Sequence, residues 1–319
     1  MKKKILALLM VAAMALGITA CGGGDSDLIK VGIINNDPSE SGYRAANVAD
    51  FEKMFTKGNG YDAKFFFSLD NDKQLAQAEK YINDGVDYLL LSAAGTSGWE
   101  DVLQKAKDAG VKVILFDRTV EADESLYEAA VISDMAKEGD TAVTWLANQK
   151  LDEYKVIHIQ GVIGSSAQIG RSGALNDKVA AESNWSIVKQ QTADWSQETA
   201  KQIVQAVIDS KEDFNVIYAE NDDMAAGAVQ ALEAAGITYG VGGKVIIMGF
   251  DCNKWALQNV KDGKWNYDGQ CSPFQAEAVH KIIQDLEKGT APAQKTIIQD
   301  EKGFDASTIT QEDVDKYGI

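Results

Sequence analysis

The chain is predicted to fold as an α/β protein made of two similar lobes, each a doubly wound parallel sheet. Three observations predict this. Short β-rich apolar runs alternate with longer helical patterns through almost the whole chain. Runs such as Tyr88–Leu91 and Val245–Met248 are apolar without alternation, as in parallel strands covered by helices on both faces. The strand–helix cycle also restarts midway, and 319 residues suit two domains of about 150 each.

The elements follow in order. Leu28–Asn35 reads as a strand and Ser41–Thr56 as a helix; Ala63–Phe67 as a strand and Asp72–Asp84 as a helix. Tyr88–Leu91 is a strand, Trp99–Ala109 a helix, Val111–Phe116 a strand and Ala129–Ile132 a short strand. The second cycle runs through helix Asp134–Asn148, strand Lys155–Gln160, helix Ala167–Ala181, strand Trp185–Lys189, helix Ser196–Ser210 and strand Asn215–Tyr218. It ends with helix Asp222–Ala235, strand Lys244–Gly249, helix Asn253–Asp262, strand Trp265–Gln270 and helix Phe274–Lys288. No long Gly/Ser/Pro-rich stretch separates the cycles, so a close-coupled pair of lobes is expected.

Composition excludes several functions. With 48 Asp+Glu against 31 Lys+Arg the net charge is −17, which repels nucleic-acid phosphates and anionic lipid headgroups. Two histidines (His158, His280) and three cysteines (Cys21, Cys252, Cys271) form no zinc-ligand spacing, so no metal is expected. Neither a nucleophile elbow nor a P-loop is present, and no cofactor and no enzymatic activity are expected. Cys252 and Cys271 could pair as a disulfide or remain two buried thiols; the sequence leaves both open.

The first residues read as an address. Lys2–Lys4 precede an apolar run, Ile5–Leu16, too short for a membrane span. Ile18-Thr19-Ala20-Cys21 resembles a bacterial lipobox, which implies cleavage of residues 1–20 and a lipid on Cys21. Residues 21–27 are glycine-rich and read as a flexible tether, placing the body outside the cytoplasm on a membrane surface.

In doubly wound sheets, ligands bind beyond the carboxyl ends of the strands. The chain has 28 lysines but only three arginines, Arg44, Arg118 and Arg171, and each lies in or beside a post-strand segment. Guanidinium is a planar fork that can bridge two adjacent oxygens, whereas ammonium is a point charge. Planar side chains with paired donors or acceptors lie at the same edges: Asp117, Asn221, Asp222, Asp251 and Gln270. Asp222 is expected to be a helix N-cap. Ser41-Gly42-Tyr43, Ser97-Gly98-Trp99 and Ala193-Asp194-Trp195 add aromatic rings, on which the apolar face of a sugar could stack. Trp99 fits a core position equally well, and Trp145, Trp185, Trp255 and Trp265 read as packing residues.

Together, Ser39-Glu40-Ser41-Gly42-Tyr43-Arg44, Thr96-Ser97-Gly98-Trp99, Phe116-Asp117-Arg118, Ile163-Gly164-Ser165-Ser166-Ala167 with Arg171, and Tyr218-Ala219-Glu220-Asn221-Asp222-Asp223-Met224-Ala225 resemble the type I periplasmic sugar-binding family. The resemblance covers most of residues 28–290. It implies two lobes joined by a three-strand hinge, with crossings near Ile132–Asp134, Gln270–Pro273 and Pro292–Lys295. The N-terminal lobe would then comprise 28–132 plus 272–293, and the C-terminal lobe 133–271 plus 294–319. It further implies that Glu40, Arg44, Asp117, Arg118, Arg171, Asn221 and Asp251 contact sugar hydroxyls and that Tyr43 and Trp195 line the cleft; Ser41 and Gln270 complete the candidate set. Tyr43 stands where the family pattern has Trp, which shrinks the stacking surface.

The implied function is an extracytoplasmic, lipid-anchored, monomeric receptor for a galactofuranose- or galactose-like aldose. Its partners would be an ABC permease and its ATPase subunits. Three arginines also admit an acidic sugar or another anion, which added salt would weaken. A sugar-sensing co-receptor of a membrane kinase is a further alternative. A glycosidase needs two carboxyls about 5–10 Å apart across a scissile bond, and Asp117 and Asp251 are better explained as hydroxyl acceptors.

Overall fold

The computed structural model describes residues 28–319. The signal-like segment, the tether and Cys21 lie outside them.

The N-terminal lobe is a six-stranded, fully parallel sheet. Its strands are β1 (Ile29–Asn35), β2 (Tyr61–Phe67), β3 (Tyr88–Leu91), β4 (Lys112–Asp117), β5 (Ala129–Ile132) and β11 (Thr296–Ile298), in the order β11-β5-β4-β3-β1-β2. Helices α1 (Gly42–Met54), α2 (Asn71–Asn83), α3 (Glu100–Asp108) and α9 (Ala276–Glu287) cover it. Every residue of β3 is buried, as its unbroken apolar run requires of a strand covered on both faces.

The C-terminal lobe repeats the plan. Strands β6 (Tyr154–Gln160), β7 (Trp185–Thr192), β8 (Val216–Ala219), β9 (Ile246–Asp251), β10 (Tyr267–Gln270) and β12 (Gly303–Asp305) lie in the order β12-β10-β9-β8-β6-β7, with β12 antiparallel to β10. Its helices are α4 (Met135–Ala147), α5 (Ser166–Ala181), α6 (Gln197–Asp209), α7 (Asp222–Ala234), α8 (Lys254–Lys261) and α10 (Gln311–Tyr317). Among the described residues no helix is long and apolar enough to cross a membrane.

Strand order reverses between β1 and β3, and again between β6 and β8, so each lobe opens a crevice at that edge. The chain passes between lobes from β5 to α4, from β10 to α9, and from β11 to β12. The third passage differs from the expected Pro292–Lys295. Thr296–Ile298 pairs with Ala130–Ile132 in the N-terminal sheet, so the chain leaves that lobe only after Ile298.

The lobes are closed on each other. The Gly42 amide donates to Asp223 Oδ2 at 2.9 Å, Thr96 N to Gly164 O at 3.0 Å, and Thr119 N to Ser166 Oγ at 3.3 Å. Trp99 is a core residue whose Nε1 donates to Gly95 O. Trp255 departs from a packing role: it is 42% exposed, with its edge against Trp265. Cys252 and Cys271 are both free, buried thiols.

Candidate functional site

The site is assembled from the strand ends. Asp117 is the last residue of β4 and Asp251 the last of β9, the corresponding strands of the two sheets. Each is faced by an arginine from the first helix after its lobe's first strand. Arg44 of α1 places Nη2 2.7 Å from Asp117 Oδ2, and Arg171 of α5 places Nη2 3.4 Å from Asp251 Oδ1. Each arginine has a second carboxylate on Nε: Glu40 at 3.0 Å for Arg44 and Glu138 at 2.8 Å for Arg171. The two lobes thus repeat one electrostatic unit across the cleft.

Local sequence explains the positions. Ser41 caps α1 by accepting from the Arg44 amide, which starts the helix one residue later and puts Arg44 in its first turn. Ser165 caps α5 in the same way through the Gln168 amide. Asn221 caps α7 by accepting from Met224 N at 2.8 Å. Asp222 was expected in that role; it lies one residue inside the helix, and its Oδ2 accepts from Asn253 instead.

Between the lobes is a narrow cleft. Its walls contain Glu40, Ser41, Tyr43, Arg44, Asp117 and Arg118 from the N-terminal lobe, and Arg171, Trp195, Asn221 and Asp251 from the C-terminal lobe. Ten of the eleven candidate residues therefore meet at one place. The exception is Gln270, which lines a separate hollow beside the hinge. Gln270 ends β10, and successive side chains at a strand end point to opposite sides; the neighbouring Cys271 takes the place at the cleft. Met135 and Ala167 also line it and were not singled out in the sequence, because an isolated Met or Ala carries no chemical signature.

The network is dense and buried. Asp117 Oδ1 accepts from the Tyr43 hydroxyl at 2.8 Å, and Oδ2 from Ser92 Oγ at 2.7 Å. Burial pushes this carboxyl up, but Arg44, Arg118 and the two hydroxyls outweigh it and hold it below the usual range. Asp251 is held up instead, because burial dominates and Arg171 offsets it only in part. Arg118 reaches Glu40 Oε1 at 3.5 Å and lies over the Trp195 ring. Trp195 is 3% exposed, belongs to the same apolar cluster as Tyr43 of the other lobe, and rests against Gly161, where any Cβ would overlap the indole.

Backbone geometry marks the same place. Seven described non-glycine residues have φ in the left-handed region; Asp117, Trp195 and Asp251 line the cleft, and Asp194 and Cys252 adjoin them. Such conformations cost on the order of 1 kcal/mol or more each and are kept where the surroundings over-determine them, often at functional sites. Aspartate tolerates them better than most residues, but nothing in the sequence flags these positions.

Chemically the cleft can grip a small polar guest. Four buried carboxyl groups (Glu40, Asp117, Glu138, Asp251) face the three guanidinium groups, so each arginine is already paired within the protein, although burial pushes Glu138 and Asp251 up. Donors remain: Trp195 Nε1 is buried without a hydrogen-bond partner, and Arg44 Nη2, although in ion contact with Asp117, makes no well-aligned hydrogen bond.

Comparison with known proteins agrees with this architecture. Residues 31–291 match the family described as "Periplasmic binding protein domain". The fructose import binding protein FruE of Bifidobacterium longum is 32% identical, with 97% of this chain and 96% of that protein covered. A crystal structure of a galactofuranose binding protein superposes with a TM-score of 0.82 at 26% identity, covering 91% of this chain and 98% of that one. The binding protein of an arabinose ABC transporter from Shewanella sp. ANA-3, bound to α- and β-L-arabinofuranose, gives 0.80 at 27% identity, covering 88% and 92%.

Proposed function

The chain belongs to the periplasmic binding protein domain family, and from that premise we propose that it is an extracytoplasmic receptor that captures a neutral monosaccharide between its lobes and delivers it to an ABC importer. The observation that carries the reading is the pairing of the arginines at a closed cleft. Three arginines converge there, each already engaged by buried carboxyl groups, while Trp195 Nε1 lacks a partner. An anionic guest would add a further negative charge to this set. Neutral hydroxyls both donate and accept, so they can pair with carboxylate and guanidinium at once.

The guest is a galactofuranose- or galactose-like aldose, gripped by the Arg44–Asp117 and Arg171–Asp251 units, with Glu40, Ser41, Arg118 and Asn221 completing the polar contacts and Tyr43 and Trp195 against its C–H face. A ketohexose is the second reading, favoured by the 32% identical relative named for fructose import. Guest bound to both lobes favours the closed form, which the permease engages. Binding is passive, the chain acts as a monomer, and lipid on Cys21 keeps it at the membrane surface.

Calorimetry of the mature chain against galactose, galactofuranosides, arabinose, ribose, fructose and galacturonate tests this. Binding of a neutral sugar with weak salt dependence is expected. Failure of every neutral sugar, alongside salt-sensitive binding of galacturonate or another anion, would overturn it. Mass spectrometry of the membrane-extracted protein reads the anchor: an unmodified N-terminus at Cys21 would refute lipidation.

A further inference from the structure

A second cluster lies on the hinge side of the cleft. Glu138 of α4, Cys271 just after β10 and Glu301 between β11 and β12 each bring one potential ligand atom within 4.8 Å of the others. These residues come from segments at or beside all three passages between the lobes. The hollow next to them, lined by Glu138, Gln270 and Glu301, is the one to which Gln270 is diverted.

Three features make this a built site. Each acidic member is held in place by other contacts. Glu138 Oε2 accepts from Arg171 Nε at 2.8 Å, and Glu301 Oε1 accepts from Ser133 Oγ at 2.8 Å and Ser272 N at 2.6 Å. Outer contacts of this kind fix first-layer ligands in metal sites. Second, Glu138 is only 6% exposed, and its Oε1 has no hydrogen-bond partner. Third, Gln270, outside the cluster and 9% exposed, also has an unpartnered Oε1 and lines the same hollow. Two buried acceptor oxygens without donors stand beside a thiol and a further carboxyl, and the positive charge at hand, Arg171, is engaged by Glu138 Oε2 and Asp251.

We propose that Glu138, Cys271 and Glu301 form a binding site for a divalent cation of the zinc class that ties the three hinge passages together. One sulfur with oxygen donors suits a borderline-soft, four-coordinate ion better than calcium or magnesium, which take oxygen alone. Binding converts the Cys271 thiol to thiolate and releases its proton to solvent; no redox change occurs. Because the donors come from different hinge segments, the ion would add a cross-link between the lobes that does not involve the sugar.

The test uses the full chain carrying Cys21→Ser and Cys252→Ser, so that Cys271 is the remaining thiol, stripped with a chelator and titrated with Cd²⁺ and then Zn²⁺. The expected result is a saturable thiolate-to-cadmium charge-transfer band at one equivalent, displaced by Zn²⁺. Glu301→Gln and Glu138→Gln should each weaken it on the order of tenfold or more, and Cys271→Ser should abolish it. No band, or a band indifferent to both Glu variants, overturns the site and shows that the carboxyls share a proton instead. If the double Cys variant does not fold, the thermal shift of the wild-type chain with Zn²⁺ decides: an upward shift lost in Glu301→Gln supports the site, and no shift refutes it.

Discussion

Arg118 of the N-terminal lobe sits over the indole of Trp195 of the C-terminal lobe, its guanidinium carbon 5.7 Å from the ring centroid. The pair crosses the cleft and joins the polar wall to the aromatic one. A cation over Trp is worth about 0.5–2 kcal/mol, and the indole N–H is unpaired. Trp195→Ala should therefore weaken sugar binding by on the order of 100-fold while leaving the helical circular-dichroism spectrum intact. Replacing Arg118 by Lys should cost about 1.5–3 kcal/mol of binding, since ammonium cannot reproduce the fork. Calorimetry with the best ligand measures both, and unchanged affinity would place these residues outside the binding contacts.

Removing the charge of Asp117 leaves Arg44 buried beside Glu40 alone. Breaking a buried pair on one side costs about 3–5 kcal/mol, so Asp117→Asn should lower urea-unfolding stability by that order as well as binding. The pH sense follows from the depressed carboxyl. Its stabilisation is present above the unfolded-state value near 3.8 and is lost as pH falls through the lower folded value. The acid-unfolding midpoint of the wild type should thus lie lower than that of Asp117→Asn.

Closure is testable at Gly42, whose amide bonds to Asp223. A Cβ there would overlap Asn253 Oδ1 of the opposite lobe, and Asn253 is tied to Asp222 through Nδ2 at 3.1 Å and through its backbone amide at 2.7 Å. Gly42→Ala should hold the lobes apart. Small-angle scattering should show a larger radius of gyration with saturating sugar, together with weaker binding and little change in unfolding midpoint without ligand.

Asp268 behaves oppositely to Asp117. Burial first, then the nearby Asp251, push its carboxyl up to about 8, in a buried pair with Asp222. Between about 4 and 8 the unfolded chain has lost this proton and the folded chain keeps it, so stability falls as pH rises through that window. Asp268→Asn should flatten this slope and raise the melting temperature more at pH 8 than at pH 5. An unchanged slope in differential scanning calorimetry would count against the shared-proton account.

Much of the architecture was legible because helix and strand periods are long and regular in the repeating part of the chain. The last thirty or so residues were not legible: β11 and β12 have three residues each, too few to display a period, and their edge positions leave them partly exposed. Post-strand positions located the cleft, since Arg44, Asp117, Arg171 and Asp251 lie where this sheet topology opens a crevice. Gln270 ends its strand where the sequence put that end, but side chains alternate there and the next residue, Cys271, is the one at the cleft. The choice between Asn221 and Asp222 as cap, and the left-handed backbone at Asp117 and Asp251, depend on tertiary contacts that no local pattern encodes.

Neither half of the molecule is contiguous in sequence. The outer strand and a covering helix of the first sheet come from residues 276–298, beyond nearly the entire second lobe. A ribosome or export channel releasing the chain from its N-terminus therefore exposes an unfinished sheet edge until almost the end. Docking of β11 onto β5 is then a late assembly event. Shortening the tail should injure the half that is made first.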